Sequence, residues 1–249
     1  HHGRNYENTQ QRQPAYIIPG LTASRMAGVH LMRYLFSPFN YNLSDPHSIP
    51  NLFLQHLYIV GIAMLISIVI AIPVGLLVAR YRRLSLPIIT FAGLLYSIPG
   101  IAFVAVLITV TGLTLGTILI PLIAYNQLAL IRNTAAGING IDPLLVEVGQ
   151  SMGMDRRQLL RRVIFPLALP VIVAGIRVAT VTTIGIASLA GFIGQGGLGA
   201  LIFINITVSD YDAILAGAIL LSFLAIVADL LLLYLQTALN RGRDPLTIS

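Results

Sequence analysis

The chain alternates long apolar runs with short polar or basic segments. Because a helix needs about 20 apolar residues to cross a ~30 Å hydrocarbon core, five of these runs qualify as membrane spans. They lie at about residues 52–79, 86–110, 115–131, 163–189 and 213–239. The third run is the shortest and only moderately apolar, so we expect its helix to pack against other helices rather than against lipid. The pattern predicts an all-α membrane protein with five transmembrane helices.

The segments outside these runs differ in character. Residues 1–50 are predicted to form a polar N-terminal arm with an amphipathic helix at the membrane interface over residues 15–36. The opening His1-His2-Gly3 lacks a methionine and is not expected to contribute to the fold. Residues 51–240 form the predicted transmembrane domain, and residues 241–249 a cytoplasmic tail.

Composition supports a membrane protein and excludes several chemistries. Hydrophobic residues make up 56% of the 249 and charged residues only 10%. The chain has no cysteine, which excludes disulfides, thiol catalysis and cysteine metal sites. The net charge of +6 gathers at the ends of apolar runs, so no nucleic-acid partner is expected. No metal site is expected either, and His56 is interpreted as an interfacial residue.

Charge in the short loops predicts the orientation, because basic loops stay on the cytoplasmic side. Loops after the second and fourth runs contain no arginine, whereas the segments after the first, third and fifth runs contain Arg80, Arg82, Arg83, Arg132, Arg241 and Arg243. We therefore expect the C-terminus in the cytoplasm and the N-terminus outside. The arginines of the N-terminal arm argue against the second assignment.

One polar interruption stands out, the stretch EVGQSMGMDRRQLLRRVIFP at residues 147–166. A glycine-rich link after the third run ends in Asp142-Pro143, an N-cap followed by proline at the first helical position. A short amphipathic helix is therefore predicted over residues 143–153. Gly153 should end it, and Asp155 should cap a second, basic helix that bends into the fourth span.

The spacing of Glu147, Gly153 and Pro166 resembles the EAA loop of binding-protein-dependent ABC importers, written E-A-A-x3-G-x9-I-x-L-P. Val148 and Gly149 replace its two alanines. Other segments, among them YSIPGIAFVAVL, LPVIVAGIRVAT and FIGQGGLGALIF, are similar to the permease subunits that import glycine betaine, choline and carnitine. The resemblance covers roughly residues 52–240.

This resemblance implies the MetI-like type I importer permease fold, with the short helix acting as a coupling helix that docks on a separate ATPase. The implied coupling residues are Glu147, Gly149, Gly153, Met154, Arg156 and Pro166. The implied partners are nucleotide-binding ATPase subunits, an extracytoplasmic substrate-binding protein, a second identical or paralogous permease chain and the lipid bilayer of a bacterial inner membrane. ATP and Mg would bind to the ATPase, since the chain has no Walker A motif. The alternative is an ordinary basic loop that only fixes topology.

Two charged residues fall inside predicted spans, Arg177 in the fourth and Asp229 in the fifth. A lone charge in the membrane is costly, so such residues pair or face water. We predict that Arg177 and Asp229 pair with each other. Separate pairing with backbone carbonyls or water is the alternative.

Two further features are candidates for the path and its gate. Pro99-Gly100 interrupts the second span, which indicates either a kink for close helix packing or a path lined by Tyr96, Ser97, Pro99, Asn126 and Gln127. The glycines after the fourth span form either a plain loop or, as the resemblance suggests, a re-entrant outer gate made of Gly194, Gly196, Gly197 and Gly199. The predicted function is that of a permease subunit for a small osmolyte. A methionine-like amino-acid importer, an ion-coupled carrier and a membrane scaffold are the alternatives.

Overall fold

The computed structural model describes residues 31–241, and every regular element in that range is helical. Most of the predicted N-terminal arm and nearly all of the predicted tail lie outside the described residues; residues 31–35 of the arm are helical. After a 3-10 turn at Pro38–Tyr41, the helices are α1 Ile49–Arg80, α2 Arg82–Tyr96, α3 Gly100–Thr111, α4 Leu115–Asn139, α5 Pro143–Ser151, α6 Arg156–Leu159, α7 Phe165–Ala187, α8 Leu189–Phe192, α9 Gly199–Val208 and α10 Tyr211–Arg241.

Four helical segments are long and apolar enough to cross a membrane: α1, α4, the continuous stretch Arg156–Phe192, and α10. The second predicted span is instead divided into α2 and α3, which meet at an angle of 89°. Five spans result when this bent pair is counted as one. Pro99 lies at the break, where its missing N–H prevents a continuous ladder of helical hydrogen bonds.

Helix α4 is the centre of the bundle. It packs against α1 on one side and α7 on the other, while α2 and α3 also lie against it and α10 packs on α7. In the most apolar 18-residue stretch of α4, 44% of the residues are buried inside the protein, whereas in that of α10 only 6% are. The third predicted span is therefore enclosed by protein, as its composition predicted, and α10 presents most of its surface outward.

The predicted glycine-rich link after the third span is wrong, because α4 continues to Asn139. Tertiary packing explains the difference. A Cβ on Gly137 would lie 3.0 Å from the carbonyl oxygen of Ala168, so glycine is what permits α4 to lie this close to α7. Contact between the helices outweighs the low helix propensity of glycine.

The predicted bend between the basic helix and the fourth span is also absent. Asp155 caps α6 as predicted, accepting hydrogen bonds from the backbone N–H groups of Arg157 and Gln158. The chain then passes through one π-helical turn at Leu160–Ile164 directly into α7. Pro166 lies just after this turn. Proline has no backbone N–H to donate, and its ring would clash with the carbonyl one turn earlier in a regular α-helix. The wider π turn provides the space that the ring needs.

Candidate functional site

Three aromatic rings meet where the second predicted span breaks. Tyr96 ends α2, Phe103 lies in α3 and Tyr125 in α4. The Tyr125 ring packs edge-on against the other two, with centroid distances of 5.9 Å to Tyr96 and 5.8 Å to Phe103. Its hydroxyl donates to the carbonyl oxygen of Ile98 at 2.8 Å. Because the break frees this carbonyl from a helical partner, Tyr125 stabilises the bend.

Two cavities flank these rings. The first, about 460 Å³, runs along α4 and α7 towards the end of the bundle that carries α5 and α6, here called the basic end. The second, about 420 Å³, extends towards the opposite end, which carries the glycines after α8 and is here called the glycine end. Tyr96 and Tyr125 line both cavities. These two tyrosines therefore stand at the boundary between the cavity that extends towards the basic end and the cavity that extends towards the glycine end.

Besides the two tyrosines, the polar residues that line the first cavity are Arg132 and Asn133 from α4 and Thr182 from α7. No carboxylate lines either cavity among residues 31–241. Tyr96 is 48% exposed, whereas Tyr125 is only 4% exposed. The ring of Tyr96 is thus the one accessible to a solute, and the buried ring of Tyr125 packs against it.

Tyr96 is the only one of the predicted path residues that lines either cavity. Asn126 is instead buried between α1, α4 and α7, where its amide donates to Ser67 Oγ at 3.1 Å and its carbonyl oxygen accepts from Thr183 Oγ1 at 2.9 Å. Gln127 donates to the carbonyl of Ile123 within its own helix. Ser97 and Pro99 form the bend beside the cavities.

The orientation of α4 explains why the predicted path residues included Asn126 and not its neighbour Tyr125. Asn126 follows Tyr125 directly, and one step along a helix turns the side chain by about 100°, away from the cavity. The residues that do line the first cavity from α4 recur every three or four positions along one side of the helix: Tyr125, Leu128, Ala129, Arg132, Asn133 and Ala136. This stripe is visible in the sequence, and only the orientation of α4 was missing to identify it.

We expect Tyr125→Phe to keep the fold but weaken the bend. Loss of one buried hydrogen bond costs about 1 kcal/mol, so the free energy of unfolding should fall by that amount. Amide hydrogen exchange around residues 97–101 should accelerate. Tyr58→Phe is the control, since Tyr58 lies on the exposed side of α1. Unchanged exchange at residues 97–101 in Tyr125→Phe would contradict the role assigned to the hydroxyl.

The predicted coupling segment forms a short helix at the basic end. Asp142 caps α5 by accepting from the backbone N–H of Leu144, with Pro143 at the first position. Gly153 has φ +80°, a conformation that other residues rarely adopt. Glu147 is exposed, and the apolar side chains of α5 and its end do not pack inside the chain. These are Leu144, Leu145, Val148 and Met152, each at least 46% exposed.

Gly149 differs from the other predicted coupling residues, because it faces its own chain. It is buried, and a Cβ on it would lie 2.7 Å from Leu159 Cδ1 and 3.6 Å from Met154 Sδ. Gly149 therefore lets α5 fold back onto α6 rather than offering a surface to a partner. Met154 and Pro166 are half-buried behind α5, and Arg156 is exposed at the start of α6.

The glycine segment between α8 and α9 makes a tight loop at the glycine end. Gly194, Gly196 and Gly197 all have φ between +74° and +78°. Gln55 Oε1 of α1 accepts from the backbone N–H of Gly197 at 3.1 Å, and Gln195 Nε2 donates to the carbonyl of Leu113 at 2.8 Å. With only 10 residues, α9 is short for a membrane crossing. The loop is thus fastened to α1 and to the α3–α4 connection.

His56 lies beneath this loop, which corrects its interpretation as an interfacial residue. Its side chain is fully buried, and Nε2 donates to the carbonyl of Ile184 in α7 at 3.1 Å. A Cβ on Gly197 would come within 3.0 Å of Nδ1. His56 therefore packs α1, α7 and the glycine loop together, a role that its position in the sequence did not indicate.

Arg177 of α7 and Asp229 of α10 form a two-pronged ion pair. Arg177 Nη2 donates to Asp229 Oδ2 at 2.8 Å, and Arg177 Nε donates to Asp229 Oδ1. Among the described residues this is the only ion pair between an arginine and a carboxylate. Both side chains are about one-third exposed at 30% and 32%. The pair joins the outward-facing α10 to the rest of the bundle.

Comparison with known proteins relates the chain to one family and a group of similar transporters. Residues 71–244 match the family described as "Binding-protein-dependent transport system inner membrane component". The chain is 38% identical over 206 residues to "Osmoprotectant import permease protein OsmW" of Salmonella typhimurium, covering 81% of this chain and 96% of that protein. It is 41% identical over 189 residues to "Glycine betaine/carnitine/choline transport system permease protein OpuCD" of Bacillus subtilis, covering 76% and 82%.

A solved structure shares the architecture. A chain of the inward-facing MetNI methionine ABC transporter superposes with a TM-score of 0.65 at 23% identity, covering 75% of this chain and 93% of that one. At this identity the similarity establishes the fold alone. The helical arrangement is therefore the MetI-like permease fold.

Proposed function

Because the chain belongs to the family of binding-protein-dependent transport system inner membrane components, it is a permease subunit of an ATP-driven importer, and we propose that its cargo is a small quaternary ammonium osmolyte such as glycine betaine, choline or carnitine. The names of the similar permeases support this cargo. The observation that carries the proposal within the molecule is the exposed ring of Tyr96 at the junction of the two cavities.

The chemistry of the cargo fits this junction. A trimethylammonium group has no N–H to donate, so hydrogen-bond acceptors recognise it poorly, whereas the face of an aromatic ring attracts it through a cation–π contact. Tyr96 is exposed between two cavities of about 460 and 420 Å³, within the size range of small-molecule sites. With no carboxylate on the described walls, the contact remains weak enough for release.

Coupling to a motor is assigned to α5. Its exposed leucine and valine side chains and Glu147 present an unpartnered surface that suits a groove on a separate ATPase subunit. That subunit would bind ATP and Mg. A second permease chain would complete the wall of the path, and an extracytoplasmic binding protein would deliver cargo at the glycine end. Closure of the ATPase dimer would bring the two α5 helices together and alternate the open end of the path.

The proposed orientation places the basic end in the cytoplasm and the glycine end outside the inner membrane. Arginine-rich segments surround α5 and α6, as cytoplasmic loops require. The start of the described chain also supports an external N-terminal arm. Gln55 of α1 donates through Nε2 to the carbonyl of Pro46 at 3.2 Å and accepts from Gly197 of the glycine loop, so the last residues of the arm lie at the glycine end.

Uptake by the reconstituted importer tests the cargo. A desolvated cation–π contact is worth about 2 kcal/mol, so Tyr96→Ala should lower uptake of radiolabelled glycine betaine roughly tenfold or more. Tyr96→Phe keeps the ring and should stay within about twofold of the unmodified protein. Tyr58→Ala, which removes an exposed tyrosine from α1, should have no effect.

Two outcomes would contradict the proposal. Full uptake of glycine betaine by Tyr96→Ala would show that this ring does not contact the cargo. ATP-dependent uptake of methionine without uptake of any quaternary ammonium compound would show that the cargo is an amino acid instead.

A further inference from the structure

A second groove, separate from the path, lies at the basic end of the bundle. It has a volume of about 610 Å³ and is formed by the last turns of α1, the end of α4 and the basic helix α6 with its π turn. Its walls are apolar, with Leu76, Leu77, Ile138, Leu159 and Ile164 among them. Arg80 and Arg156 also line it.

The two arginines come from distant parts of the chain but open on the same groove. Arg80 ends α1 and Arg156 begins α6. Among residues 31–241, neither forms an ion pair with a carboxylate, and no carboxylate lines the groove. The Arg80 guanidinium lies 5.4 Å above the centre of the Tyr81 ring. Asp155, the nearest acid in sequence to Arg156, is engaged in capping α6.

This groove lies at the level where the hydrocarbon core of the membrane meets the headgroups, because its apolar walls come from the end of a membrane-spanning helix. Leu76 and Leu77 belong to the last turns of a 32-residue apolar helix that ends in Arg80. A ligand here would therefore have an anionic head at the arginines and a hydrocarbon body along the leucine and isoleucine side chains. Basic pockets between transmembrane helices on the cytoplasmic side bind anionic lipid head groups in this way.

We propose that the groove between α1, α4 and α6 is a binding site for one anionic phospholipid, with its phosphate between Arg80 and Arg156 and an acyl chain against Leu76 and Ile164. Charge complementarity selects the anionic headgroup, and the hydrocarbon wall selects a lipid over a free phosphate. The bound lipid joins the end of α1 to the helix that follows the coupling segment. This site does not depend on the identity of the cargo.

The experiment uses the full chain with its partner subunits in nanodiscs of phosphatidylcholine and phosphatidylglycerol, followed by native mass spectrometry of retained lipid. Arg80→Gln with Arg156→Gln should lower retained phosphatidylglycerol roughly tenfold, because each interfacial arginine contributes to headgroup attraction. Arg83→Gln with Arg162→Gln removes the same charge outside the groove and should change retention less than about twofold. Retention of phosphatidylcholine should not change in either variant.

A second variant tests the hydrocarbon part without altering charge. Leu76→Trp fills the groove and should also displace phosphatidylglycerol, with the thermal unfolding profile reporting that the fold is kept. The proposal is overturned if the control pair of arginines lowers retention as much as the groove pair, which would indicate diffuse attraction. It is also overturned if Leu76→Trp retains lipid fully, or if millimolar inorganic phosphate displaces the lipid.

Discussion

ATP-dependent uptake should fall at least about tenfold when Glu147 is replaced by arginine, while the variant chain remains folded. Glu147 is exposed on α5, so its replacement does not disturb the chain's own packing. Inverting a charge within a docking surface places like charges together or leaves a partner unpaired, which weakens association strongly. The measurement is uptake into proteoliposomes containing the whole importer, together with its ATPase rate and co-purification of the ATPase subunit.

Glu147→Gln is the matched control for this prediction. It removes the charge without inverting it and should reduce uptake less than Glu147→Arg does. Normal uptake by Glu147→Arg would show that this residue lies away from the ATPase contact. Substrate uptake that persists without ATP or the ATPase subunit would favour an ion-coupled carrier.

The second large effect is expected at Gly199, where α9 begins. A Cβ on this residue would lie 1.9 Å from the carbonyl oxygen of Ser188, and one on Gly191 would lie 2.2 Å from the backbone nitrogen of Ala200. Backbone therefore meets backbone at this crossing, and no flexible side chain can move aside. Gly199→Ala should lower the free energy of unfolding by about 3 kcal/mol or prevent folding, as overpacking of a rigid site does.

Gly61→Ala provides the comparison, because a Cβ at Gly61 of α1 meets nothing within 4 Å. This variant should be neutral or slightly stabilising, since alanine favours the helix by up to about 1 kcal/mol. Denaturant titration in mixed micelles measures both variants. Equal stability of Gly199→Ala and Gly61→Ala would mean that the two backbone segments separate easily.

The predicted elements succeeded where one local signal dominates. Four of the five apolar runs each correspond to one long helix, while the second is divided into α2 and α3. The Asp142-Pro143 and Asp155 signals correctly predicted the starts of α5 and α6. The ends of the helices were harder to predict where tertiary contacts determine them. Gly137 reads as a linker residue in the sequence, yet its close contact with α7 keeps it within α4. The 89° angle at Pro99 likewise exceeds what a proline alone dictates.

Side-chain roles depended on helix orientation, which the sequence does not contain. Tyr125 and Asn126 are neighbours, and polarity favoured Asn126 as a path residue. The structure places the asparagine in a buried hydrogen-bond network and the tyrosine at the cavities. His56 has no local feature that predicts complete burial beneath a loop some 140 residues away. Arg177 and Asp229, in contrast, were predictable as a pair because few alternatives exist in lipid.

The continuity between α6 and α8 has a mechanical consequence. The helical stretch Arg156–Phe192 contains 37 residues and is therefore about 55 Å long. It begins just after the turn at Gly153 and ends just before the glycine loop. If the stretch moves as one body, a tilt of about 5° displaces its far end by roughly 5 Å. A modest rotation imposed at one membrane surface thus becomes a displacement as wide as a small solute at the other, without any relay of side-chain rearrangements between them.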